Sequence, residues 1–94
     1  MDTNDLTVTD NREERRFEVE LEDKKAFIEY TDDGDVVTMT HTEVPASFEG
    51  KGVGSYLVKG ALESVKSDGK KVNPACAFVA AYIKKHAEYK HLVA

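Results

Sequence analysis

The chain has 94 residues, 40% hydrophobic and 33% charged, with a formal net charge of −5. This length bounds one domain with a single core, and the balance of apolar and charged residues belongs to a folded chain rather than a disordered one. The acidic charge excludes phosphate-backbone binding as a main activity, so no nucleic-acid partner is expected. No apolar run reaches bilayer-spanning length and the first residues are acidic, unlike a secretory signal; no membrane partner and a cytoplasmic setting are expected. One cysteine, Cys76, excludes an internal disulfide framework, and with scattered histidines it leaves no metal site in prospect.

Taken in order, residues 1–14 are polar, show no sustained apolar period, and are expected to be a loose, flexible leader. From Arg16 the pattern becomes periodic. Phe17, Val19 and Leu21 alternate with Glu18, Glu20 and Glu22, which predicts a half-buried strand. A short connection at Asp23-Lys24-Lys25 leads to a second alternation at Ala26, Ile28 and Tyr30, so the two form a hairpin. Asp32-Asp33-Gly34-Asp35 is a turn, because Asp-Gly tolerates the positive φ of tight hairpins. The β-prone run Val36–Val44 follows and ends at Pro45, which cannot donate to a ladder. Strict alternation in this run puts Val37, Met39, His41 and Glu43 on one face.

Three antiparallel strands therefore deliver the chain to Gly50-Lys51-Gly52-Val53-Gly54-Ser55, beyond which Val53, Leu57, Val58, Ala61, Leu62 and Val65 fall at helical spacing. Glycines at a strand-to-helix junction can take φ > 0 and admit close approach to the backbone. The first helical turn offers unpaired N–H groups at the positive end of the dipole. Together they suit an anion, most naturally a phosphate, with Lys51 as an added cation, although a plain tight turn is an equally simple reading. A Walker A ending and a dinucleotide fingerprint are both absent. Acidic residues crowd the first half of the chain and lysines the second, which suits an anionic ligand on one side and a cationic substrate on the other; two ordinarily solvated faces are the plainer reading.

The helix is expected to stop at Asp68-Gly69, and Lys70–Pro74 to form a brief strand parallel to the third. A last helix runs from Ala75 to His86, with Cys76 near its start, where the dipole lowers a thiol pKa. Cys76 is thus either a small core residue or a nucleophile, and His41 either a hydrogen-bonded strand residue or a general base. A scheme using both requires them on the same side of the sheet. Tyr82 is read as a packing residue, and His86, Tyr89 and His91 as a terminal packing cluster. The fold class is α+β, one sheet with helices upon it.

Glu49-Gly50-Lys51-Gly52-Val53-Gly54 resembles the acyl-CoA diphosphate loop of the GCN5-related N-acetyltransferases, Q/R-x-x-G-x-G/A, with Glu49 where the family has Gln or Arg. Asn73-Pro74-Ala75-Cys76-Ala77-Phe78-Val79 and His86-Ala87-Glu88-Tyr89-Lys90-His91-Leu92 are similar to P-x-C-x-F/Y-V and H-P-E-Y-x-x-L of a minimal, acetyltransferase-like family within it. The resemblance implies one acetyltransferase-like domain over residues 15–94, with acetyl-CoA or coenzyme A as cofactor. It would place Glu43, Val44 and Pro45 beside the pantetheine arm and Gly50, Lys51, Gly52, Val53, Gly54 and Ser55 around the diphosphate. It makes Cys76 and His41 the candidate catalytic groups. The implied function is acyl transfer to an amine, small or protein-borne, by a monomer or weak dimer; the alternative is a non-catalytic module that binds CoA or acyl-CoA.

Overall fold

The structure, a computed structural model, describes residues 6–48 and 50–94. In chain order it forms β1 (Thr9–Asn11), β2 (Arg16–Leu21), β3 (Lys24–Asp32), β4 (Val36–Glu43), α1 (Val53–Ser67), β5 (Lys71–Pro74) and α2 (Ala77–Lys85), with 3-10 turns at Ala46–Phe48 and Ala87–Leu92. The five strands lie side by side in sequence order. The pairings from β1 to β4 are antiparallel, and β5 joins β4 in parallel, as a helical crossover requires. This is the α+β architecture that the periodicities predict.

Local chemistry fixes each joint. The β2–β3 hairpin turns on Glu22 and Asp23, with φ of 54° and 65°, one residue earlier than the expected connection. Both central residues of such a turn need positive φ, and with no glycine there the sequence carries little sign of it. At the β3–β4 turn Gly34 has φ 102°, and the Asp33 carboxylate accepts from the N–H groups of Asp35 and Val36. Asp32 accepts from Gly34 N–H and receives the Lys70 ammonium at 2.6 Å, and these bonds hold its carboxyl below the usual range. Helix α1 ends as expected: Gly69 is left-handed with φ 70°, and Lys70 N–H donates back to the Val65 carbonyl.

One face of the sheet carries the core. Phe17, Val19, Ala26, Ile28 and Met39 meet Leu57, Val58, Ala61, Leu62 and Val65 of α1, with Val79 and Ile83 of α2 closing one end. Apolar burial of this kind is the dominant favourable contribution to folding. On the other face stand Arg16, Glu18, Phe27, Glu29, His41 and Glu43. There the Arg16 guanidinium lies 4.7 Å from the Phe27 ring centre and 2.7 Å from the Glu18 carboxylate.

The loose leader needs correction from Leu6 onward. Leu6 is buried in the core, its carbonyl accepts from the Tyr56 hydroxyl at 2.5 Å, and Thr9–Asn11 add a strand at the sheet edge. Tyr30, two strands away on β3, donates to the Asp10 carboxylate. Single anchors rather than a period hold this segment, which explains why its pattern is silent. Val8 packs so close to α1 that a Cβ on Gly60 would lie 2.7 Å from the Val8 Cβ. Alanine is the better helix former by about 1 kcal/mol, so helix propensity alone predicts that Gly60→Ala stabilises. Steric displacement of Val8 predicts a net loss of about 1–2 kcal/mol. Urea denaturation is expected to show the loss, Val8→Ala to relieve it in the double variant, and hydrogen exchange to rise at residues 6–11.

Candidate active site

The site begins with an extra residue on β4. Tyr30 pairs with Met39 and Glu29 with His41, so Thr40 has no partner on β3. This bulge reverses the alternation beyond it. Met39 and Thr42 now share the helix-covered face, where Thr42 stands opposite the fully buried Ile28. His41 and Glu43 turn to the open face. His41 Nε2 is 4.0 Å from the Glu43 carboxylate there, and its ring meets Phe27 edge-on at 6.4 Å. The expectation of a shared face for Val37, Met39, His41 and Glu43 therefore fails, and with it the requirement that His41 and Cys76 lie on the same side.

The same point is where β4 and β5 part. Their pairing stops at Met39 and Pro74, after which Cys76 N–H donates to the Met39 carbonyl at 2.9 Å. From Thr40 onward no strand among the described residues pairs with that edge of β4. Cys76 occupies the parting as the N-cap of α2, in extended conformation with φ −87° and ψ 130°, rather than inside a helix starting at Ala75. Its thiol donates to Thr42 Oγ1 at 3.2 Å. Burial pushes the thiol pKa up, but the Thr42 hydroxyl and the N–H groups of Val79, Phe78 and Thr42 favour the thiolate more strongly and leave the pKa below its usual value. Cys76 as a whole is half-buried.

From Thr42 a cavity of about 420 Å³ runs past Val44, Phe48 and Phe78 to the glycine turn. Buried Phe48 anchors the connection, and Lys51 N–H donates to its carbonyl. Gly50 and Gly52 take φ of 76° and 74°, with open space where a Cβ would stand. Their absent side chains thus serve backbone conformation. Gly54 differs: its φ is not positive, and a Cβ there would lie 2.7 Å from Cζ of Phe78. Gly54 is small so that Phe78 can cross the mouth of the groove.

Helix α1 starts with Gly52 as N-cap, no side-chain cap and no acidic residue in its first turn. Its first intrahelical bond runs from Tyr56 N–H to the Gly52 carbonyl, so the N–H groups of Val53, Gly54 and Ser55 precede the ladder at the positive end of the dipole. Gly50, Gly52, Val53, Gly54, Ser55 and Val44 all line the cavity; Lys51 is exposed beside it. Glu43 is on the opposite face, and half-buried Pro45 opens the 3-10 turn. Glu49 lies outside the described residues. Thr42 and Phe78 were not singled out as site residues from sequence. Thr42 is hidden by the bulge, and Phe78 could have been noticed as an aromatic off the buried Val79–Ile83 stripe. Among the described residues no cluster of three metal-ligating side chains occurs.

A glycine turn, an uncapped helix start and a sheet split beside them form one groove. The sequence profile described as GCN5-related N-acetyl-transferase matches residues 16–92. The chain belongs to that family. Protein NATD1 of Mus musculus is 31% identical over 84 residues, 86% of this chain and 76% of that protein. Protein NATD1 of Homo sapiens is also 31% identical over 84 residues, covering 74% of its length. The solution structure of a GCN5-like protein from Staphylococcus aureus superimposes with a TM-score of 0.71 at 24% identity, covering all of this chain and 91% of that one. That likeness establishes the GCN5-related acetyltransferase fold. No described helix is long and apolar enough to cross a membrane.

Within this acetyltransferase fold the Cys76 thiol, bonded to groove-lining Thr42, has its pKa lowered by its surroundings. Thr42→Val removes a hydroxyl that favours the thiolate, so the Cys76 pKa is expected to rise. At neutral pH iodoacetamide alkylation is expected to slow about three- to tenfold, one pKa unit corresponding to about 1.4 kcal/mol. A pH titration of the alkylation rate checks this; an unchanged profile would show that the Thr42 contact does not tune the thiol.

Proposed function

We propose that the chain is an acetyl-CoA-dependent N-acetyltransferase acting on a primary amine. Membership of the family supports acyl transfer. The observation that carries the finer reading is the continuous groove from the glycine turn to Thr42, whose hydroxyl oxygen accepts from the Cys76 thiol. The residues present fit coenzyme A. Free N–H groups of Val53–Ser55 and the Lys51 ammonium suit a diphosphate, and the apolar walls of Val44, Phe48 and Phe78 suit a pantetheine arm. The uncovered edge of β4 beyond Met39 offers backbone partners to its amides.

Acetyl-CoA supplies an acyl group activated as a thioester. In our reading Cys76 is the nucleophile, its thiolate held by the Thr42 hydroxyl and by N–H groups at the start of α2. The Cys76 thiolate would bond to the acyl carbon as the C–S bond to coenzyme A breaks, and coenzyme A would leave as a thiolate that takes its proton from water. His41 and Glu43 stand on the other face of the sheet, so neither takes part in this scheme. Once coenzyme A has left, an unprotonated amine entering the groove attacks the acyl carbon held by Cys76; the C–N bond forms, the C–S bond breaks, Cys76 leaves as the thiolate and the surplus amine proton passes to water.

Calorimetry with CoA and acetyl-CoA, followed by intact-mass spectrometry, tests the reading. Binding and a mass gain of one acetyl group are expected, with the gain lost in Cys76→Ala. His41→Asn, on the other face, is expected to change neither the mass gain nor its discharge onto a lysine or polyamine. Gly52→Val forces a β-branched residue into left-handed geometry; at about 1–2 kcal/mol this predicts at least a roughly tenfold loss of CoA affinity. Binding with neither mass gain nor amine acetylation would replace the enzyme with a non-catalytic CoA-binding module. Absence of binding would remove both.

A further inference from the structure

A separate cavity, of about 230 Å³, opens at the other end of the helix–sheet sandwich, between the end of α1 and the start of β4. Helix α1 has 15 residues. A rise of about 1.5 Å per residue therefore puts this cavity roughly 20 Å from the glycine turn. Acyl transfer as read above uses none of its residues. Its floor is apolar, with Phe17, Val37 and Val65 all buried, and its mouth carries Asp10, Arg12, Arg15 and Asp68. Asp32 also lines it, already engaged by the Lys70 ammonium and Gly34 N–H.

The charged groups at the mouth differ in how firmly they are held. Asp10 is fixed, because Oδ1 of its carboxylate accepts from the Tyr30 hydroxyl at 2.5 Å. Burial and that carboxylate push the Tyr30 pKa up, so the hydroxyl stays a donor. Arg12 spans the mouth from Asp10 at 3.2 Å to Asp68 at 3.6 Å, with its own side chain 74% exposed. The second contact is longer than a hydrogen bond, and an exposed bridge of this kind is weak. Arg15 is left-handed with φ 56°, and its carbonyl accepts from Tyr30 N–H at 3.0 Å, which ties the turn to β3. Its guanidinium forms no ion pair among the described residues. The mouth thus holds a carboxylate without a close partner, Asp68, beside an unpaired cation.

A simple cation entering here would be repelled by Arg12 and Arg15, and a simple anion by Asp10, Asp32 and Asp68. A small ligand carrying both charges can satisfy both sets, and the apolar floor gives room to a short hydrocarbon chain. We propose that this cavity binds a free α-amino acid with an aliphatic side chain, its ammonium between Asp10 and Asp68, its carboxylate toward Arg12 and Arg15, and its side chain on Phe17, Val37 and Val65. The ammonium takes the place of the Arg12 guanidinium between the two carboxylates, and the released guanidinium turns to the ligand carboxylate. The distance from the glycine turn makes this a second site, separate from the groove in which an amine would meet the acyl group, and its existence does not depend on the acyl-CoA reading.

The test is an amide-resolved NMR titration of the full chain with leucine, leucinamide and N-acetylleucine. Leucine is expected to bind with a dissociation constant on the order of 1 mM, shifting the amides of Asp10, Arg15, Val37 and Val65 and leaving Gly50–Ser55 unmoved. Leucinamide lacks the carboxylate and N-acetylleucine the ammonium, so each is expected to bind at least about tenfold more weakly. Arg15→Asn keeps a residue that tolerates left-handed geometry; it is expected to weaken leucine about fivefold without weakening leucinamide. Asp68→Asn is expected to weaken leucine about as much without weakening N-acetylleucine. The three-ligand comparison uses the unaltered protein, so it stands even if a variant perturbs folding. Leucinamide binding as tightly as leucine would replace the proposal with a simple cation site, and N-acetylleucine doing so with an anion site. Shifts confined to the glycine turn, or none at saturating leucine, would remove the second site altogether.

Discussion

The architecture of the site depends on Thr40 having no partner across the ladder. One extra residue on β4 sends Thr42 to the covered face and His41 to the open one, and it falls where β5 ceases to follow its neighbour. A flat, regular strand would have buried His41 behind Met39 and left Thr42 in solvent. Because the period of a strand is two, a single insertion exchanges every later side chain between faces. His41 and Thr42, which accepts from the Cys76 thiol, consequently face opposite sides of the sheet.

The second constraint is the approach of α2 to the start of α1. Gly54 lets the Phe78 ring cross the helix start, and Cys76 becomes an N-cap because its own N–H is held by the Met39 carbonyl. The glycines of the turn are therefore not equivalent. Gly50 and Gly52 permit a left-handed backbone, whereas Gly54 permits a neighbour. The lowered thiol pKa follows from this arrangement, since the N–H groups that favour the thiolate belong to the first turn of α2.

Much of this was legible in the residues. The alternations around Phe17–Leu21 and Ala26–Tyr30, the Asp33-Gly34 turn, the glycine junction and the Asp68-Gly69 stop all correspond to elements in place, because each is local chemistry with a short period. The position of Cys76 at the start of the last helix was legible too. The bulge was not, because Thr40 is as β-prone as its neighbours and only the register against β3 exposes the surplus. Nor was the docking of Leu6 and Val8, which depends on a glycine more than fifty residues away and on a tyrosine hydroxyl, contacts that leave no period behind. Tyr82 and His86, expected to pack, do stack on each other, half-buried at the margin of the core.

Both flanks of the described chain fasten onto α1. Leu6 and Val8 close against Tyr56 and Gly60, and Tyr89 reaches Glu63. On a ribosome, the first of these segments is made long before its landing place and the last long after, so one flank of the helix that bears the glycine turn can close once the helix exists and the other only after synthesis passes Tyr89. Distant closures of this kind raise the average sequence separation of contacts and slow the search for the native state. They also make the domain yield as a unit. A nick or strain at either flank loosens the same helix, and the groove at its N-terminus loses its footing together with the core.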